Sequence, residues 1–136
     1  GIFQYGGLFG KIINLTSIKI DSSIFLPGMK NINIIEHHTT HGILKRIPIF
    51  WADDHELLKQ SEGFNISKYI SQNGLKVFLF HPIHIYLNSS NINDYNSYKE
   101  NGILSRNNDI VGVGTFFNSL INYIKLNSIK TNFLTD

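Results

Sequence analysis

A histidine that closes an apolar run is the feature of this sequence best suited to chemistry. Leu75-Lys-Val-Phe-Leu-Phe80 is rich in β-branched and aromatic residues, and His81 follows it directly. An imidazole changes charge near neutral pH, so it can carry a proton at a strand end. His84 comes three residues later and would point to the opposite face of an extended chain, out of reach of a shared ligand. Asp21-Ser22-Ser23 ends another strand-like stretch. If that strand neighbours the His81 strand, Asp21 orients the imidazole and holds its proton. Its plainer reading is a loop start or helix cap. Trp51-Ala-Asp53-Asp54-His55 sets two carboxylates and the only tryptophan at a third strand end. Carboxylates so placed bind cations or exchange protons, and the indole can stack on a sugar ring. The alternative is a solvated turn with a helix cap. Glu36-His37-His38-Thr-Thr-His41 would put His37 and His41 on one helical face, as in metal-binding pairs. Thr39, Thr40 and Gly42 disfavour a helix, so a surface loop is expected. Gly112-Val-Gly114 lacks the third glycine of a dinucleotide loop and carries little weight.

Those residues need elements to position them. Lys76 to Phe80 follows the Asn73-Gly74 turn and reads as a strand buried on both faces. Functional side chains in α/β sheets gather at the carboxyl ends of such strands. Ser17 to Ser23 alternates and runs into a loop, and Ile47 to Trp51 reads as a strand with Pro48 near its start. Leu8 to Asn14, Glu56 to Gln60 and Phe64 to Gln72 are helix candidates. Asn31 to His41 is open between assignments. Asn88 to Asn108 is polar and reads as a long loop with at most a short helical turn. Phe116, Phe117, Leu120, Ile121 and Ile124 recur at helical spacing after Thr115, which reads as the cap. Strands alternating with helices predict an α/β fold with a mostly parallel sheet. One domain spanning residues 1–136 is expected, with no linker and no internal repeat.

Composition limits the function classes. The chain has 136 residues, 42% hydrophobic, enough for a folded core rather than a disordered segment. Net charge is +2 and the cations are scattered, which argues against nucleic acid as a partner. No apolar run approaches the ~20 residues of a membrane span. Nothing resembles a signal peptide, and the expected location is the cytoplasm. There is no cysteine, so disulfides and thiolate metal sites are excluded. The first residue is Gly1 rather than methionine, consistent with a processed or truncated piece.

The order of these motifs resembles the C-terminal half of a polysaccharide deacetylase of the NodB-homology superfamily, closest to its WbmS-like branch. Phe3-Gln4-Tyr5-Gly6-Gly7 is similar to that branch's Phe-Arg-x-Gly-Gly motif. Ile18-Lys-Ile-Asp21-Ser22-Ser23 resembles its Asp-Ser-Ser strand end. Ile47-Pro-Ile-Phe-Trp51 with Asp53 and Asp54 resembles the strand after it, and Leu79-Phe80-His81-Pro82 the closing Leu-x-His motif. Gly114-Thr115 and the final helix are similar to the end of the barrel.

The resemblance implies a deformed or partial (β/α) barrel and metal-assisted hydrolysis of an N- or O-acetyl group on a sugar of a surface polysaccharide. It makes His81 the acid that protonates the leaving group, with Asp21 as its tuning carboxylate. It makes Leu79 the apolar wall for the acetyl methyl, and Trp51, Asp53 and Gln4 substrate contacts. The family's divalent metal, usually zinc, is expected in the complete parent protein, and none in this chain alone. The family's Asp-Asp and His-x-x-x-His metal motifs are not transferred to Asp53-Asp54 or to His37 and His41, which stand in the wrong order. Gln4 replaces an arginine whose charge positions the catalytic base, which a neutral amide does not do. The expected partner is an acetylated carbohydrate, with self-association favoured by the open edges of an incomplete barrel. The runner-up reading is a non-catalytic carbohydrate-binding remnant of the same fold, built on Trp51 and Asp53.

Overall fold

Residues 42–52 form the central line of the molecule, with chain pairing on both sides. The computed structural model describes residues 6–59, 64–132 and 134, so Gln4 lies outside the described residues. Helix α1 (Gly6–Leu15) leads to strand β1 (Ile20–Asp21). Strands β2 (Ile35–Thr39) and β3 (Gly42–Arg46) make an antiparallel hairpin, and β1 joins β3 in parallel. The segment then continues to β4 (Trp51–Ala52), which pairs in parallel with β5 (Phe78–Leu79). Between the two sheets, Leu26 N–H donates to Ile49 O at 2.9 Å and Phe50 N–H to Val77 O at 2.9 Å.

The parallel pairings agree with the strand alternation, yet the sheets are small and the three-stranded one is mixed. The difference lies in residues 31–41. They enter a tight hairpin because Thr39 Oγ1 accepts from His41 N–H at 3.1 Å and donates to Gly42 O at 3.0 Å. Gly42 has φ 134°, which a side chain would resist. The histidine cluster therefore sits on a β-hairpin, where neither a helical pair nor an irregular loop forms.

Among the described residues five helices follow β4: α2 (Asp53–Lys59), α3 (Ser67–Ile70), α4 (Pro82–Leu87), α5 (Ile92–Asn101) and α6 (Val113–Leu126). Helix α5 falls in the polar stretch expected to be a loop. It buries no residue, so no apolar period marks it. A capping box replaces that signal, Asn91 accepting from Asn93 N–H at 2.8 Å while Asp94 accepts from Asn91 N–H at 3.3 Å. Helix α6 starts one turn earlier than expected, with Gly112 as its cap. Thr115 lies inside it, its N–H donating to Asn88 Oδ1 at 2.8 Å. Among the described residues no helix is long and apolar enough to cross a membrane.

The core is aromatic. Ile32, Phe50, Trp51, Tyr69 and Phe116 are buried together, with Phe64, Phe78 and Phe80 packed against them. The Trp51 ring stacks on Phe116 at 4.7 Å and lies 4.9 Å from Phe80. Such pairs add about 0.5–1.5 kcal/mol each beyond burial. This cluster seats β4, β5 and α6 against one another behind the ends of the two parallel strands.

Two glycines test the packing in opposite senses. A Cβ on Gly112 would lie 2.0 Å from the Asn88 carbonyl oxygen, so Gly112→Ala should destabilise the protein by about 2–3 kcal/mol. A Cβ on Gly10 would meet nothing closer than 3.8 Å. Gly10→Ala should leave stability unchanged or raise it by up to about 1 kcal/mol. Urea denaturation midpoints of the two variants check both signs.

Candidate functional site

Parallel pairing of β4 and β5 brings two chain ends to one place. Trp51 is level with Phe78 and Ala52 with Leu79, so Asp53 and His81 both emerge just beyond the sheet. Asp53 opens α2, and His81 caps α4 with Pro82 at its start. Proline suits the first helical turn because its missing N–H has no helical partner there. The Asp53 side chain is 0% exposed. Its Oδ2 accepts from the His81 backbone N–H at 2.6 Å, and its Oδ1 meets His81 Nδ1 at 2.6 Å. Asp54 N–H adds a third bond, to Oδ1 at 2.8 Å.

The carboxylate fixes the tautomer of His81. An ionised carboxylate only accepts, so Nδ1 carries the hydrogen and Nε2 is left to exchange protons. The His81 side chain is 45% exposed, so that exchange is open to solvent or ligand. Its pKa is raised, chiefly by the Asp53 hydrogen bond, with burial opposing and the charges of Asp53 and Asp54 assisting.

His84 joins the site from beneath. Because the chain turns into α4 at Pro82, His84 lies in the first helical turn after His81 rather than on the far side of a strand. The two rings meet edge-on at 5.8 Å. His84 is buried, Nδ1 lies 3.3 Å from Ser89 Oγ, and the ring packs 5.2 Å from Tyr95. Burial lowers its pKa, the His81 charge adds to that, and Asp53 and Asp54 oppose it. Donor atoms of Asp53, His81 and His84 all lie within 4.8 Å of one another, and one carboxylate with two imidazoles is a set that could hold zinc. As arranged, however, the 2.6 Å contact is a hydrogen bond. Ligands of one ion with bonds of about 2.0–2.2 Å sit farther apart than that. That contact holds a proton, and the three residues together remain a candidate metal-binding group.

Several expected partners are elsewhere. Asp21 does not pair with His81: its Oδ2 accepts from Arg46 Nε at 2.8 Å. It is level with Arg46 in the β1–β3 register, well before Asp53 along the central segment, so Asp21 and His81 do not share a rim. The neighbouring Ser22 hydroxyl donates to Ile47 O at 2.8 Å. Trp51 is 2% exposed and turned into the core, where it cannot serve as a sugar-stacking plate. Asp53, expected as a substrate contact, is fully buried and turned to His81. Leu79 remains 38% exposed, two residues before His81. His84, Ser89 and Tyr95 were not legible as site residues, although Pro82 after His81 signals the turn that gathers them.

A family model described as WbmS-like polysaccharide deacetylase matches residues 1–99, which include Asp53, His81 and His84. The chain belongs to this family. No curated protein matches it. Among solved structures it is similar to a Bordetella bronchiseptica protein assigned as a polysaccharide deacetylase involved in O-antigen biosynthesis, with a TM-score of 0.71 and 26% identity. The match covers 89% of this chain and 52% of that one, so the chain spans about half the length of its solved relative. Within the family match, β4, β5 and the start of α4 carry the Asp–His pair. Helix α6 lies beyond the matched residues and backs the site through Phe116.

The titration of His81 separates the two candidate carboxylates. Its midpoint should lie above the ~6.5 of a free imidazole. Asp53→Asn should bring it down, and Asp21→Asn should leave it in place; NMR titration reads all three. A raised folded-state pKa adds stability that is full below the unfolded value and is lost as pH rises through the folded one. The stability gap between wild type and His81→Ala should therefore be widest below about pH 6.5 and narrow above it.

Proposed function

We propose that this chain supplies the proton-donating part of a carbohydrate deacetylase acting on an N- or O-acetylated sugar of a surface polysaccharide. The Asp53–His81 pair at 2.6 Å carries the reading: a buried carboxylate grips one ring nitrogen while the other stays open. Family membership supports the reaction class, and the solved relative's assignment to O-antigen biosynthesis supports a cell-surface glycan as substrate. The same comparisons support a partial (β/α) barrel as the parent architecture.

Deacetylation leaves an amine or hydroxyl on the sugar, and the departing nitrogen or oxygen needs a proton. His81 Nε2 gives it, while the Nδ1–H stays on the ring and donates to Asp53 Oδ1. Asp53 holds the ring in one orientation and stabilises the imidazolium before transfer. Leu79 offers an apolar surface near the ring, suited to an acetyl methyl. A divalent metal, which the family implies, would supply polarisation of the acyl oxygen and activation of water. A purely carbohydrate-binding remnant is the second reading, and burial of Trp51 removes the stacking plate on which it leaned.

Acetate release from an acetylated oligosaccharide, measured with the whole protein that carries this chain, tests the proposal. His81→Ala should lower kcat about 10²–10⁴-fold with little change in KM, because leaving-group protonation belongs to the transition state. Asp53→Asn should lower kcat and move the alkaline limb of the pH profile to lower pH, because that limb reports loss of the His81 proton. Glycan binding without any acetate release would establish the second reading.

A further inference from the structure

Strand β2 lies at one edge of the three-stranded sheet, whose order is β1–β3–β2. Along β3 the backbone groups alternate between the two neighbours. Lys45 N–H donates to Lys19 O at 2.9 Å, and Ile47 N–H to Asp21 O at 2.8 Å, so these positions face β1. Leu44 and Arg46 then face β2, where they are level with His37 and Ile35. Glu36 and His38 therefore turn their N–H and C=O away from β3. Among the described residues no group bonds to them there.

We propose that this edge pairs with the β2 edge of a second copy of the chain, antiparallel and centred on His37. Outward groups must meet outward groups, which restricts the register. Centring on Glu36 sets that carboxylate against its own copy, and centring on His38 sets two imidazoles together. Centring on His37 sets Glu36 opposite His38 of the second copy, and the two-fold axis repeats the pair. The two groups already associate within one chain, His38 Nε2 lying 3.4 Å from Glu36 Oε2. Across on β3, Lys45 is level with Glu36 and Ile43 with His38.

The edge carries little protection against such pairing. β2 is five residues of regular strand without proline or lysine, whereas β1 at the other edge is two residues long. Helix α1 covers one face of β2 through Phe9, whose ring meets His37 edge-on at 4.7 Å. Ile35 stays 42% exposed and would stand opposite Thr39 of the second copy. Five residues a side make a small interface, so the association is weak, in roughly the micromolar range.

Sedimentation of the whole protein that carries this chain, from about 10 µM to about 1 mM, should show a reversible monomer–dimer equilibrium. Glu36→Lys should weaken it about tenfold, because like charges then stand opposite. Combining Glu36→Lys with His38→Glu exchanges the pair and should restore the dimer. An introduced thiol reads the register. Opposed residues of a non-hydrogen-bonded pair have Cα atoms about 4.5 Å apart, within disulfide reach. On oxidation His37→Cys should therefore cross-link to its own copy, at a bond located by peptide mass spectrometry, and Ile35→Cys should not. The charge exchange and the thiols are independent readings, so a variant that fails to fold leaves the other to decide. A protein that stays monomeric throughout overturns the proposal. So does a dimer that Glu36→Lys leaves unchanged, or one in which Ile35→Cys cross-links as readily as His37→Cys.

Discussion

A carboxylate with no exposure to water organises this molecule. Removing an ionised group from solvent costs several kcal/mol unless hydrogen bonds replace its hydration. Asp53 meets that demand with the His81 N–H, the His81 ring and the Asp54 N–H. Each donor constrains the backbone. The Asp54 bond belongs to the first turn of α2, and the His81 N–H bond fixes where β5 stops and α4 starts. The parallel register of β4 and β5 is the only arrangement of these two strands that delivers both groups to one end. Behind them Trp51, Phe80 and Phe116 exclude water, which strengthens the pair by lowering the local dielectric. The aromatic core and the polar site are thus two sides of one constraint.

Legibility in the sequence followed what each residue had to do locally. His81 stood out because an apolar strand ended on it. Its partner did not, because Asp21 and Asp53 both follow strand-like runs and a single sequence does not state strand order. The order places Asp21 beside Arg46, whose guanidinium also lies 4.3 Å over the Phe9 ring. Arg46 carried no motif and was not singled out, so nothing in the sequence competed with His81 for Asp21. Trp51 suggests a sugar-stacking plate because two carboxylates follow it at a strand end, yet β4 is two residues long and its side chain belongs to the core. Family resemblance was legible from motif order, which survives such misplacements. Helix α5 was not, since a helix without a buried face leaves no period, only caps.

The two histidines show how neighbouring groups of one type acquire different duties. His81 is half open and bound to a carboxylate, so its charged form is favoured. His84 is buried against Tyr95 and Ser89, so its neutral form is favoured. Two adjacent imidazolium ions would repel at 5.8 Å, and the opposite shifts avoid that state. The positive charge is therefore favoured on His81, the ring with access to the outside. A neutral His84 also keeps the floor beneath His81 uncharged, so the carboxylate of Asp53 is not shared with a second cation.

That division of labour gives α5 a role its sequence conceals. Tyr95 packs on the buried histidine, so the position of α5 is set by the same ring that supports His81. Tyr98, one turn along, carries the arrangement outward to the surface. The capping box fixes the start of α5, and Asn88 ties down the segment after it through Asn107 O and Ile110 O. A helix that buries no residue would gain little stability from packing, and polar anchoring at its N-terminus is what keeps it in register with the site.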